Sequence, residues 1–283
     1  MKAGPKSAPA IRSLPPEADD VVSRFLRLCH RFRRVYSIVL LLLAWEVFAF
    51  AINDPLFLPS FIAVLKMAWS MLQSGQLIVD ASASLQRSLI GFAFAMAVGV
   101  PLGILMGWFR QWDDFWGSIV SLSNPIPKIG LVPLFVLWFG IGELSKVAVI
   151  AAGAFFPILI NVYNGVRGVN PIWIWRARTV GISETEILFK VILPAALPAM
   201  FTGARLGMAL AWVILIAAEM VAARSGLGFR ILYGQQMFET EVVFAGLLTI
   251  SLLGFLFDRV IQALSQKTCS WYFRLGHQAQ AET

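Results

Sequence analysis

The sequence predicts an all-α integral membrane protein: six spanning helices, both termini cytoplasmic, and a helical cytoplasmic loop between the fourth and fifth spans. Three observations predict it. Of the 283 residues, 58% are hydrophobic and 14% charged, against roughly 45–50% and 25% in a soluble domain. Too little polar surface remains to cover a globule in water. Apolar runs near the roughly 20 residues that cross a hydrocarbon core recur along the chain, and lysine and arginine are biased to one side of them.

Residues 1–34 read as a cytoplasmic segment. Pro5, Pro9, Pro15 and Pro16 punctuate its first part, which has too few large apolar residues to fold alone. From 21 to 34, Phe25, Leu28 and Phe32 share a helical face ringed by Arg24, Arg27, Arg31 and Arg34. That pattern suits a helix lying on the inner leaflet. Six spans follow, at about 35–52, 84–109, 116–139, 145–166, 195–222 and 242–264. The first reads as a retained anchor, since no small-residue cleavage site follows it. Residues 35–266 form the transmembrane domain, and 267–283 a cytoplasmic tail.

Orientation comes from the basic residues. With the N-terminus inside, sixteen of the 23 lysines and arginines fall in cytoplasmic segments, eight of them before the first span. Five fall outside: Lys66, Arg87, Lys146, Arg224 and Arg230. The net charge of +7 is thus an orientation signal and not a nucleic-acid arm. Trp45, Trp69, Trp108, Trp112, Trp116 and Trp138 sit near predicted interfaces, as an aromatic belt does. Cys29 and Cys269, His30 and His277 have no metal-binding spacing.

Two segments do not span. Residues 56–75 form an external helix. Residues 167–194 form the longest internal cytoplasmic loop. Within it Ser183 caps a short helix, with Glu184 and Glu186 in the first turn. Ile187, Leu188 and Val191 give that helix an apolar side. Gly181 permits a sharp turn with positive φ, and Pro194 suits the start of the fifth span.

The stretch WRARTVGISETEILFKVILP, Trp175 to Pro194, resembles the EAA signature of ABC-importer permeases. Ala177 matches its second alanine, Gly181 its glycine, Val191 its isoleucine, and Leu193-Pro194 its closing pair. Trp175 and Arg176 replace the glutamate and first alanine, so the family's acidic contact is lost. SLQRSLIGF (84–92), PIPKIGLVPLFVLWFGIGELSK (125–146), FFPILINVYNGV (155–166), LPAALPAMFTGARLGMALAWVILIAAEM (193–220) and GLGFRI (226–231) are similar to permeases for nitrate, aliphatic sulfonates and taurine. The resemblance covers about residues 55–265. It implies a type I importer fold and a second permease subunit, most simply a second copy. It also implies two cytoplasmic ABC ATPases carrying ATP and Mg, and a periplasmic or lipid-anchored solute-binding protein, in a bacterial inner membrane. The loop around Gly181 would be the coupling helix that docks on the ATPase.

The chain has no phosphate-binding GxxxxGK[ST] loop, so it is expected to bind no cofactor and not to be an enzyme. Five residues are candidates for the solute path, because polar groups at membrane depth face a cavity or a partner: Asn124, Lys128, Arg205, Trp212 and Glu219. Pro125, Pro127 and Gly130 break the helix around Lys128, so it either lines the path or lies near the cytoplasmic surface. Arg205 follows Gly203 in a small-residue face completed by Gly207, and is either a structural or a path residue. Glu219 bonds the following SGLG turn or relays protons. Glu46 awaits a helix–helix hydrogen bond or a proton. Gly99, Gly103 and Gly107 predict tight packing of the second span. An ion-coupled secondary transporter and a membrane-embedded enzyme are the alternatives; the first transports without nucleotide, and the second needs clustered catalytic groups.

Overall fold

The computed structural model describes residues 36–272. The interfacial helix expected at 21–34, Cys29, His30 and His277 lie outside them. The chain divides into two compact units at Phe61–Ile62.

In the first unit, helix α1 runs Tyr36–Ile52. Asn53 ends it at φ 50°, a left-handed conformation that asparagine tolerates. The chain then doubles back. Trp45 Nε1 donates to the Pro59 carbonyl at 3.0 Å, and Glu46 Oε2 accepts the Phe61 N–H at 2.8 Å. Glu46 thus satisfies an orphan donor at the start of the next helix, where a carboxylate is favoured by the helix dipole.

In the second unit, α2 (Phe61–Gln73) ends at Gly75, whose φ of 78° starts α3 (Gln76–Trp108). At 33 residues, α3 begins well before the expected span. The third span, expected over 116–139 with a break around Lys128, is broken there. Helix α4 (Arg110–Ser123) and the Lys128–Phe139 segment, whose last part is α5 (Val132–Phe139), meet at 86°. Pro125 and Pro127 withdraw two backbone donors and clash with the preceding turn, so the helix stops at Ser123. Then come α6 (Glu143–Arg167), α7 (Pro171–Thr179), α8 (Glu184–Ile187), α9 (Leu193–Ala222), α10 (Leu227–Gln236) and α11 (Thr240–Thr268). Among the described residues four helices are long and apolar enough to cross a membrane, or five with the bent pair as one span.

Helix α6 is the middle layer. Glycines on both neighbours let their backbones close on it. A Cβ at Gly103 would lie 2.8 Å from Val162 Cβ and from the Leu159 carbonyl. At Gly107 it would lie 2.6 Å from Val166 Cβ, and on α9 a Cβ at Gly207 would lie 2.7 Å from Ile158 Cγ1. The expected tight face of α3 is therefore the α3–α6 contact. Gly103→Ile is expected to cost about 1–3 kcal/mol through overpacking and to lower the detergent melting temperature. Gly117→Ala, whose new methyl meets nothing nearer than 3.4 Å, is expected to gain up to about 1 kcal/mol of helix propensity. Equal melting of the two variants would contradict this packing.

Candidate docking loop and membrane cleft

The loop is built by capping. Asn170 Oδ1 accepts the Ile172 N–H at 3.0 Å, and Pro171 occupies the first turn, where no donor is missed. At the far end Gly181 (φ 82°) sits in the left-handed region. Its N–H donates to the Arg178 carbonyl at 3.0 Å, and that of Ile182 to the Ala177 carbonyl at 3.1 Å. This is a Schellman C-cap, which glycine favours at the turning position. Ser183 restarts the helix, its hydroxyl accepting the Glu186 N–H at 3.3 Å. Arg178 and Glu184 bridge the turn with bonds of 2.7 and 2.9 Å. That hydrogen-bonded pairing holds the Glu184 carboxyl below its ordinary range. Lys190 closes on Glu186 at 2.6 Å.

The apolar side of the loop faces inward. Ile187 is completely buried and Ala177 nearly so, in one cluster with Val166, Val169, Ile192 and Ala196; Leu188 and Val191 pack against it. As a coupling helix the loop is expected to present Gly181 and the apolar side formed by Ile187 and Leu188 to the ATPase. Ile187 is instead its floor, because the C-terminal turn of α6 supplies the surface it needs. Trp175, Val180 and Phe189, in the same loop, are exposed at 64%, 80% and 62%.

After α8 the helix does not end. Residues Leu188–Ile192 form a π segment that runs into Leu193 and Pro194 at the head of α9. Pro194 lacks the N–H that would continue the α-helical ladder, and a π turn absorbs the gap. Residues Glu184–Ala222 thus form one continuous helical rod, starting three residues after Gly181.

The second feature lies at the break in the third span. Lys128 Nζ donates to the carbonyls of Ser123, at 3.0 Å, and Asn124, at the negative end of α4. It also stands over the Phe156 ring, 4.3 Å from its centre. Lys128, Asn124, Pro127, Phe156, Leu210 and Val213 line a cleft of about 250 Å³. Trp212 points away from it, with 6% exposure, its ring 6.0 Å from Phe257 of α11 and its Nε1 without a hydrogen-bond partner among the described residues. Arg205 binds Asp258 of α11 with both prongs, at 2.7 and 3.0 Å. Of the five path candidates, Asn124 and Lys128 meet at the cleft. Arg205 and Trp212 lie on the α9–α11 seam.

Glu219 lies elsewhere, at the opposite end of α9 from the loop at Gly181, and is fully buried. It accepts from Ser84 Oγ at 2.9 Å, Arg87 Nη1 at 2.6 Å and the Gly228 N–H at 2.8 Å. The bond to Gly228 is the one expected from sequence. Arg87 also binds Glu143 at 2.5 and 2.8 Å, while Asp80 holds Arg230 at 2.7 Å and the Gly226 N–H at 2.9 Å. Lys146 is turned onto the carbonyls of Ile141 and Gly142 at 3.0 and 3.1 Å. Arg87 and Lys146, counted from sequence as external-loop cations, are 4% and 3% exposed. One signal was available: Asp80, Ser84 and Arg87 recur every three or four residues, a polar stripe down one face of an apolar helix.

Residues 99–269 match the family described as the binding-protein-dependent transport system inner membrane component. The chain belongs to this family. Its members are the permease subunits of ABC importers. A putative ABC transporter permease of Methanocaldococcus jannaschii is 40% identical over 80% of this chain and 87% of its own. The taurine transport system permease TauC of Escherichia coli is 35% identical over 83% and 87%. The putative aliphatic sulfonates permease SsuC of Bacillus subtilis is 35% identical over 76% and 78%. Among solved structures, a chain of the inward-facing MetNI methionine ABC transporter superposes with a TM-score of 0.58 at 20% identity, covering 72% of this permease and 98% of that chain. At that identity the likeness establishes the permease fold alone.

Proposed function

We propose that this permease forms, with a second copy of itself, the path for a small anionic solute such as a sulfonate, taurine or nitrate. A periplasmic or lipid-anchored binding protein delivers the solute, and two separate ATPase subunits, which hold ATP and Mg, drive import. The chain itself binds no cofactor and performs no hydrolysis. On this reading residues 35–266 cross a bacterial inner membrane six times, α1 included, with residues 1–34 and 267–283 inside. Asn124, Lys128, Arg205, Trp212 and Glu219 are its path candidates. Ala177, Gly181, Ser183, Glu184, Ile187, Leu188, Val191, Leu193 and Pro194 build the loop that meets the ATPase.

The observation that carries the reading is the capped turn at Gly181, followed from Glu184 by a helix that runs unbroken into α9. It supplies a lever at one membrane face whose far end reaches the other. The relatives' taurine and aliphatic sulfonates share a sulfonate group, which favours a solute bearing an oxyanion. Proteoliposomes holding the permease, its ATPase and its binding protein test it: ATP-dependent uptake of taurine or ethanesulfonate is expected. Uptake by the permease alone under an ion gradient would establish the secondary-transporter alternative instead. Lys128→Met uncaps α4 and removes a cation from the cleft. It is expected to lower uptake by roughly fivefold, the scale of one charge–dipole interaction, with assembly intact. Unchanged uptake would remove Lys128 from the path.

A further inference from the structure

The Arg205–Asp258 pair is open on its outer side, where the two side chains keep 44% and 39% exposure. It is also deep. Arg205 stands 12 residues after Leu193, and Asp258 10 residues before Thr268. At 1.5 Å per residue these are about 18 and 15 Å from the helix ends. The two helices, of 30 and 29 residues, exceed the hydrocarbon thickness by about 15 Å, so a centred span holds the pair about 8–10 Å inside it. A carboxylate facing lipid at that depth is costly. An arginine escapes by laying its stem toward the headgroups, but this one is folded onto Asp258, which is too short to escape with it. The open side therefore looks onto a watery or protein-lined space. Thr202, Arg205, Leu206, Ala209, Leu210 and Val213 are exposed along this side of α9, and Leu210 and Val213 also line the cleft with Asn124 and Lys128.

A guanidinium fork takes two oxygens of one planar or tetrahedral oxyanion side by side. Asp258 fills that fork with two such oxygens. We propose that Asp258 is a displaceable counter-ion, occupying on Arg205 the position that the transported oxyanion takes as it passes. The inference rests on the solute being an anion. A neutral pair does not trap anions at rest. Once an oxyanion displaces the carboxylate, the freed Asp258 repels it, so the fork holds it only briefly.

The test uses the permease–ATPase complex in nanodiscs without binding protein, to measure bound radiolabelled ethanesulfonate, and the full system in proteoliposomes, to measure uptake. Asp258→Asn is expected to raise ethanesulfonate binding about tenfold. It is expected to slow uptake by a similar factor, while loaded binding protein still stimulates ATP hydrolysis. A pair that only holds α9 to α11 would not raise anion binding when broken. The doubly neutral Arg205→Gln/Asp258→Asn variant buries no charge and is expected to assemble, to bind ethanesulfonate only at background, and to take it up at about a tenth of the normal rate or less. Asp258→Asn binding within about twofold of wild type, or normal uptake by the double variant, overturns the proposal. Should Asp258→Asn fail to assemble, the double variant decides alone. Wild-type protein that carries neither taurine nor ethanesulfonate under ATP sinks the anion reading itself, a result distinct from either variant outcome.

Discussion

Replacing Glu219 with alanine is expected to destabilise the permease by about 3–5 kcal/mol, as removal of one partner from a buried ion pair does. Its carboxylate accepts from the Ser84 hydroxyl, from Arg87 and from the Gly228 N–H, and is fully buried. Around it Arg87, Arg230 and Lys146 face Glu219, Glu143 and Asp80, so the cluster is neutral. The alanine leaves that balance one positive charge in excess, with Glu143 as the remaining carboxylate on Arg87. It also strips the Gly228 N–H and Ser84 of an acceptor inside the protein, each worth about 1–3 kcal/mol when left unmet. The turn at Gly226 depends on the same carboxylate. Gly226 has φ 121°, and a Cβ there would lie 2.4–2.6 Å from it, so the turn has been shaped around Glu219. At about 2–4 °C per kcal/mol for a protein of this size, the melting midpoint in detergent should fall by roughly 10 °C. Glu219→Leu with Arg87→Met removes both charges and should melt above Glu219→Ala, because burying neither ion costs less than burying one. Glu143→Ala, whose side chain is 65% exposed, should cost far less, since water screens what it loses. If Glu219→Ala melts like wild type, the cluster does not hold these helices together.

The contrast between what could and could not be read from sequence follows the range of the interactions. The turn at Gly181 was legible because its causes are local: a glycine at the C-cap, Ser183 two residues on, and acids in the next turn. The packing face at Gly99, Gly103 and Gly107 was legible because small residues four apart on an apolar helix have one common use. The break in the third span was signalled by Pro125 and Pro127, although the angle was not. Ile187 was misplaced because an apolar loop residue looks the same whether its cover is a partner or its own chain; the cover is Val166, twenty-one residues back. Glu219 meets Arg87 across 132 residues of sequence, and no local pattern reports that meeting. Arg205 could be singled out as a charge at depth, but not paired, since Asp258 lies 53 residues on, in another span.

Gly181→Asp separates folding from coupling. A Cβ at Gly181 meets nothing within 4 Å, so the substitution clashes with no neighbour. The left-handed φ of 82° costs an L-residue about 1–2 kcal/mol, and aspartate is among those that bear it most easily. The variant should therefore insert and melt within a few degrees of wild type. The new carboxylate, however, stands next to Val180, 80% exposed, in the loop that also exposes Trp175 at 64%. If these groups are what the ATPase grips, an unpaired carboxylate must be desolvated at the contact, at a cost of several kcal/mol. Because the π segment joins the loop to α9 without a joint, a lost grip leaves the span without a drive. ATP-dependent uptake is expected to fall by about a hundredfold or more, the equivalent of roughly 3 kcal/mol at the contact, while the amount of permease in the membrane is unchanged. Gly181→Asn carries the same backbone strain without the charge and should retain much of the uptake, so the difference between the two variants isolates docking from strain. Normal uptake with Gly181→Asp would place the ATPase contact elsewhere on the permease.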